Sequence, residues 1–169
     1  MILTSQEEYG LRCALTLARA QQFAERHGGE GTLRLGQIAA TEGLTQPYAG
    51  KMLRVLIGAD LVESMRGRSG GYRLARSARE VSVAEVLAAL GSKFYDGGIC
   101  TANATAAEVL PKGICVHNSD CAVRSLWSGL QQLVDGYLGR TSLAQLIGGE
   151  ASTADIMRRI PALNAGRVA

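Results

Sequence analysis

Three of the four cysteines of this 169-residue chain lie close together in its second half. Cys100, Cys115 and Cys121 follow a C-x14-C-x5-C spacing, with glycines nearby that loosen the backbone. Three thiolates on such a stretch can converge on one soft metal centre, as in iron–sulfur clusters and structural zinc sites. The sequence has no paired C-x2-4-C knuckles, which argues modestly against zinc. The cysteines therefore predict a metal centre that leaves one position for a further ligand.

The spacing alone does not identify that further ligand. His117 lies two residues after Cys115, and Glu8 stands at the exposed start of the first helical segment. Free thiols in a loop, or a redox disulfide, remain as alternatives to a metal. Cys13 lies inside an apolar stripe and is expected to be a small core residue. A nucleophilic cysteine needs a base within reach. His27 and His117 are the chain's two histidines, and nothing beyond proximity supports either of them as such a base. We therefore do not expect an enzyme.

A second functional pattern is a glycine- and arginine-rich turn between two short strand patterns. Residues 61–66 alternate apolar and polar side chains, 67–71 form the turn, and 72–74 return as a second strand. Arginine supplies charge and glycine allows close backbone approach to a phosphate or a minor groove. Residues 44–80 contain seven Lys/Arg against three Asp/Glu, whereas the net charge of the whole chain is only +3. The positive charge is therefore concentrated where the shape suits DNA.

Two helical patterns precede this hairpin. The first covers 35–42 and stops at Gly43; Thr45 is a good N-cap for the second, which has Pro47 in its first turn and runs to about Ile57. Helix, glycine turn and helix form a helix-turn-helix, whose second helix enters a major groove. The alternative is a solvated helical hairpin followed by a β-turn. The arginine-bearing hairpin in register favours DNA binding.

The remaining segments complete the predicted architecture. Thr4 with Glu7 caps a first helix to about Phe23, and Ser82 with Glu85 caps a helix over 83–90 that follows the hairpin. The longest late helix, 122–138, has an apolar face over four turns, which pairing with a second chain would bury; packing back on its own domain is the alternative. A last short helix covers 143–147.

We therefore predict a mainly α fold with a small β-hairpin wing. Its parts are a winged helix-turn-helix domain (1–91), a cysteine-containing loop that binds the metal centre (92–121), a dimerisation helix with a short final helix (122–147) and a loosely ordered tail (148–169). No apolar run approaches the roughly 20 residues needed to span a bilayer. The N-terminus MILTSQEEYG does not resemble a signal peptide. We expect a cytoplasmic protein without a membrane partner.

Several motifs together resemble the IscR/NsrR family, the Rrf-type winged helix-turn-helix iron–sulfur regulators of bacteria. They are the opening MILTS, the GADLVESMRGRSGGYRLAR hairpin, the VSVAEVLAAL helix, and the cysteines running into AVRSLWSGLQQLVDGYLGRTSLAQLI. The similarity covers nearly all of residues 1–147. The hairpin and the junction from Cys121 to Trp127 are its specific parts.

The resemblance implies a dimeric regulator whose cysteine loop holds an iron–sulfur cluster and whose cluster state selects the promoters it binds. By position, Cys100, Cys115 and Cys121 match the cluster cysteines. Glu8 matches an acidic ligand reaching the cluster of the partner chain, with His117 as its competitor. The matches for DNA contact are Thr45, Gln46, Pro47, Tyr48 and Lys51 on the recognition helix and Arg66, Arg68, Ser69 and Gly70 on the wing.

The sequence departs from the family in the spacing of its first two cysteines. Fourteen residues separate them, where the best-known members have about five, so a [2Fe–2S] cluster is only slightly preferred over a [4Fe–4S] cluster. Two rival functions remain. One is a DNA-binding regulator that senses by thiol oxidation or zinc; the other is an iron–sulfur carrier or assembly protein, against which the arginine wing argues.

Overall fold

The computed structural model describes residues 4–67, 70–91, 95 and 121–148. The elements in chain order are α1 (Ser5–His27), α2 (Leu35–Glu42), α3 (Gln46–Gly58), β1 (Val62–Met65), β2 (Gly71–Leu74), α4 (Val83–Ala89), α5 (Ala122–Gly139) and α6 (Leu143–Ile147). This mainly helical architecture with one two-stranded antiparallel hairpin confirms the predicted fold class. In these ranges no helix is both long and apolar enough to cross a membrane.

Local capping explains where the helices begin. Three N-termini carry full capping boxes, in which a hydroxyl accepts from a backbone N–H group and a Glu or Gln side chain reaches back: Thr4 with Glu7, Ser82 with Glu85, and Ser142 with Gln145. Helix α2 ends at Gly43, whose left-handed φ of 65° is accessible to glycine without strain. The first helix continues past the expected Phe23 to His27.

The wing hairpin pairs β1 with β2 in the register Val62–Leu74, Glu63–Arg73, Ser64–Tyr72 and Met65–Gly71. A further bridge joins β2 to the chain before α2, because Leu33 and Tyr72 exchange two backbone hydrogen bonds of 2.9 and 2.8 Å. The approach is close enough that a Cβ atom on Gly71 would lie 2.4 Å from the carbonyl oxygen of Leu33. Glycine at this position therefore allows the hairpin to dock beside the helix-turn-helix.

The core is built around α1. Cys13 and Leu17 of this helix are fully buried, and they share one apolar cluster with Met52, Leu53 and Leu56 of α3, Val81 and Val86 around α4, and Leu143 of α6. The final short helix therefore contributes a fully buried leucine to the same core as the helix-turn-helix.

Backbone contacts divide the chain into two compact units. Among the described residues, one unit contains 4–67, 70–91 and 137–148, and the other contains 95 and 121–136. The predicted domain boundaries stay a prediction, and the predicted tail after residue 148 lies outside the described part of the chain.

Candidate DNA interface and metal ligands

The start of α3 presents polar groups to solvent. Thr45, Gln46 and Pro47 are exposed, and the Thr45 side chain makes no capping hydrogen bond, so its hydroxyl is not occupied by the helix end. One turn later Lys51 is exposed. The buried side of α3 is formed by Ala49, Met52, Leu53 and Leu56. Four of the five predicted groove-facing residues, Thr45, Gln46, Pro47 and Lys51, are therefore exposed on α3 or at its start, whereas Tyr48 is half-buried and packs against the core.

Tyr48 joins this surface to the start of α1. Its ring meets Tyr9 edge to face, with centroids 6.0 Å apart and planes at 83°. The guanidinium of Arg12 lies 5.7 Å from the Tyr9 ring centroid and donates to Glu8 Oε1 at 2.5 Å. Both side chains of that ion pair are 51% exposed. Glu8, the predicted acidic ligand, is thus an accessible carboxylate paired with a cation one turn away.

The wing contributes a second basic group. Arg66 follows β1, is exposed, and forms no ion pair with any other residue in the described ranges. Arg73, by contrast, is held by Glu63 on the opposite strand, with Nε and Oε1 2.6 Å apart. Gly70 N donates to Gly67 O at 2.9 Å and closes the turn. Arg68 and Ser69, the predicted tip, lie outside the described residues.

Helix α3 also carries a cation that the sequence pattern did not single out as a DNA contact. Arg54 is exposed three residues after Lys51, on the side of α3 that turns away from the core. Neither residue has an ion-pair partner within the described ranges. The i, i+3 spacing places the two cations on one helix face, which could have identified Arg54 from the sequence.

Cys121 occupies the start of α5. Its sulfur accepts a hydrogen bond from the backbone N–H of Arg124 at 3.4 Å, and its carbonyl oxygen accepts from Ser125 N at 3.0 Å. The sulfur therefore caps the helix, and the N–H groups of a helix N-terminus are a favourable environment for a sulfur that carries negative charge. This position suits a thiolate that ligates a metal.

The rest of the predicted ligand set is not placed. Cys100, Cys115 and His117 lie outside the described residues. Across 4–67, 70–91, 95 and 121–148, no three His, Cys, Asp or Glu side chains are grouped as metal ligands. The assignment of Cys100, Cys115, Cys121 and Glu8 to one centre stays a prediction.

Cys13 has the properties of a core residue, as expected. Its side chain is fully buried in the cluster around α1. Burial, and to a smaller extent the carboxylate of Glu42, raise the pKa of its thiol to about 11. A thiol in this state is a poor nucleophile and a poor ligand.

Comparison with known proteins supports the interpretation of the helix-turn-helix. A family model described as Rrf2, iron-dependent transcriptional regulator, matches residues 3–149. The HTH-type transcriptional regulator IscR of Xenorhabdus nematophila is 30% identical over 147 residues, covering 87% of this chain and 79% of that protein.

Two solved structures share the architecture at the same level of sequence identity. IscR of T. potens superposes with a TM-score of 0.62 and 26% identity, covering 91% of this chain and 90% of that chain. CymR of B. subtilis, named the global cysteine regulator, superposes with a TM-score of 0.64 and 26% identity, covering 88% and 98%. The chain belongs to the Rrf2 family of helix-turn-helix, DNA-binding transcriptional regulators, which are not enzymes.

Proposed function

We propose that this Rrf2 regulator is a homodimer that binds a palindromic operator and senses iron–sulfur, redox or nitric oxide status through a cysteine-ligated cluster. The observation that carries the sensing part is Cys121, whose sulfur caps the N-terminus of α5. The same helix carries exposed apolar side chains, so a ligand at its start and a partner along its length would act on one helix. A regulator of transcription acts at the chromosome, and we place it in the cytoplasm.

The DNA-contacting surface in this proposal combines α3 and the hairpin. The start of α3 enters a major groove, and the hairpin lies on the neighbouring backbone or minor groove. The residues assigned to it are Thr45, Gln46, Pro47, Tyr48, Lys51, Arg66, Arg68, Ser69 and Gly70. Exposed cations without ion pairs in the described ranges, Lys51 and Arg66, supply the charge that phosphates attract.

Helix α5 is the proposed dimer interface. Val123, Leu126 and Leu133 are 62%, 58% and 49% exposed, and no residue of α5 is buried. An apolar helix face of this kind is normally covered, and a two-fold partner would cover it with the same face. A two-fold dimer also matches half-sites about 34–36 Å apart on a palindrome.

In the proposed sensor, Cys100, Cys115 and Cys121 hold the cluster, and Glu8 from the second copy completes the ligand set, with His117 as its competitor. A bound cluster supplies one-electron chemistry and an exchangeable ligand position. The protein's own contribution is the Cys121 sulfur, which caps the start of α5, and the accessible carboxylate of Glu8. We favour [2Fe–2S] over [4Fe–4S] only slightly.

A second candidate is favoured by one neighbour. CymR is named a cysteine regulator, so the same fold is found in a protein whose name points to a different signal. Thiol oxidation or zinc at the same three cysteines would then replace the cluster. The third candidate, a carrier or assembly protein, does not account for the exposed cations Lys51 and Arg54 on α3.

The sensing proposal is tested by purification without oxygen, followed by a visible spectrum and by counts of iron, acid-labile sulfide and zinc. We expect iron and sulfide with visible absorbance in the wild type, and their loss with retained folding in Cys115→Ala. Cys13→Ala is the matched control, because this cysteine is buried in the core and should leave the iron content unchanged. An iron-free wild type that occupies its operator normally would refute the cluster; zinc or a reversible disulfide would favour the second candidate.

The DNA surface is tested by the salt dependence of operator affinity. Lys51→Ala and Arg66→Ala should each weaken binding and make the slope of log K against log[salt] shallower by about one, since each removes one phosphate neutralisation. Arg26→Ala, an exposed arginine near the end of α1 and outside the proposed surface, is the control. An unchanged slope in both interface variants would contradict the assignment.

A further inference from the structure

Residues 75–78, which follow β2 and form the exit of the wing, are hydrogen-bonded to other parts of the fold. Ala75, directly after β2, donates from its backbone N to Leu61 O at 3.1 Å. The side chain of Gln21 in α1 forms two hydrogen bonds with the residues that follow. Its Nε2 donates to Arg76 O at 3.2 Å, and its Oε1 accepts from Ala78 N at 2.7 Å. One amide side chain thus satisfies both a donor and an acceptor of the wing exit, which fixes its path over three residues.

The same segment is held on its other side by the chain that follows α5. Ala144 N donates to Ala78 O at 2.9 Å and Leu143 N donates to Val81 O at 2.9 Å. Val83 N donates in the opposite direction, to Thr141 O at 2.8 Å. Ser82 and Ser142 form an antiparallel bridge at the centre of this ladder. These backbone hydrogen bonds pair the two segments as a short antiparallel ladder.

The ladder follows the last turn of α5 without a flexible linker. Arg140 N donates to Tyr137 O at 3.2 Å and Thr141 N to Leu138 O at 3.3 Å, so the helix end tightens into a closed turn. The Thr141 hydroxyl, which is buried, donates to Tyr137 O at 3.0 Å. Leu143, two residues on, is fully buried. A movement of this last turn must therefore move the wing exit with it or break the ladder.

We propose that Gln21 and the segment 141–144 are positioning residues for DNA binding, which tie the end of α5 to the exit of β2 and so set the pose of the wing. The proposal rests on the proposed contact of the wing with DNA. It adds a route from the last turn of α5 to that contact through backbone hydrogen bonds and the Gln21 side chain, without any residue that itself touches DNA.

Two substitutions test the link from its two sides. Ala144→Pro removes the N–H that donates to the carbonyl oxygen of Ala78. The new proline would lie in the first turn of α6, a position that proline tolerates, as Pro47 shows in the first turn of α3. Its matched control is Ala84→Pro in the first turn of α4, where the N–H has no backbone acceptor among the described residues. Gln21→Met removes both side-chain bonds at similar volume, with Gln22→Met as its neighbour control.

The readout is operator affinity over a range of salt concentrations, with thermal unfolding to verify folding. For Ala144→Pro and Gln21→Met we expect binding about three- to tenfold weaker, the range that the loss of one or two hydrogen bonds implies. We also expect a shallower salt slope, because a displaced wing releases fewer counterions. General destabilisation would reduce the active fraction and leave the slope unchanged, so the slope separates positioning from stability.

The outcomes also separate this inference from the proposed wing contact. If Arg66→Ala lowers the salt slope while folded Gln21→Met keeps the wild-type slope and affinity, the link is refuted and the wing contact stands. If Arg66→Ala has no effect, the wing contact itself fails. Should Ala144→Pro not fold, Gln21→Met decides alone, since Gln21 lies outside the buried core. Faster amide exchange at Tyr72 in Gln21→Met, but not in Gln22→Met, would further support the link.

Discussion

Leu143 gives the sharpest test of how the C-terminal part of the chain is used. Its side chain is fully buried in the cluster around α1, although it belongs to a helix of only five residues. Replacing a fully buried leucine by alanine removes its transfer free energy and leaves a cavity, which costs about 3 kcal/mol. For a chain of this size that corresponds to a melting temperature lower by roughly 6–12 °C.

The assay compares Leu143→Ala with Leu133→Ala by denaturant unfolding and by sedimentation. Leu133 is 49% exposed on α5, so the same chemical change removes little from the core. We expect Leu143→Ala to lower the unfolding free energy of dilute, monomeric protein. Leu133→Ala should instead weaken dimerisation, on the order of tenfold for a half-buried leucine from each copy.

The contrast makes the reasoning refutable. A loss below about 1 kcal/mol for Leu143→Ala would mean that α6 is not anchored in the core, since exposed sites rarely exceed that value. An equal loss in both variants at low protein concentration would mean that burial does not distinguish the two leucines. An unchanged dimer in Leu133→Ala would contradict the role proposed for α5.

Three further predictions concern local features. Gly71→Ala should destabilise the wing by about 1–3 kcal/mol, because its Cβ would lie 2.4 Å from the Leu33 carbonyl oxygen; the measurement is equilibrium unfolding. The hydrogen bond from Arg76 lowers the pKa of the Glu85 carboxyl to about 2, so this pair stabilises the fold above about pH 4.5 and loses its effect as the pH falls towards 2. In Glu85→Gln that acid-dependent part, below about 1 kcal/mol for so exposed a pair, should disappear from a stability–pH profile. Burial and a raised pKa of about 11 should keep Cys13 unreactive with a thiol reagent at pH 8, and unfolding should expose it; rapid labelling of the folded protein would contradict this.

Much of the fold was predictable because its signals are local. A capping box is completed within four residues, so Thr4 with Glu7 and Ser82 with Glu85 predicted two helix starts that the structure confirms. Gly43 ended α2 for an equally local reason, its left-handed backbone. Thr45 and Pro47 predicted the start of α3 in an equally local way, and the structure places Thr45 at the N-cap position of that helix.

The fate of the charged residues was only partly predictable. Arg66 is exposed as expected, but Arg73 is paired with Glu63 across the hairpin. The strand register, which places these two residues opposite one another, decides this pairing. The partners of Cys121 in a metal centre remain a prediction, since the other two cysteines lie outside the described residues.

The sequence by itself determined where the helices start, where the hairpin lies and that α3 is basic, because each of these features depends on residues close together in the chain. Only the tertiary structure decided which apolar positions are buried: Leu133 and Leu143 both have helical spacing, yet one is half exposed and the other fully buried. Gln21 likewise forms its hydrogen bonds with Arg76 and Ala78, which lie 55 and 57 residues further along the chain. Contacts between such distant residues depend on how the whole core closes, and no local spacing records them.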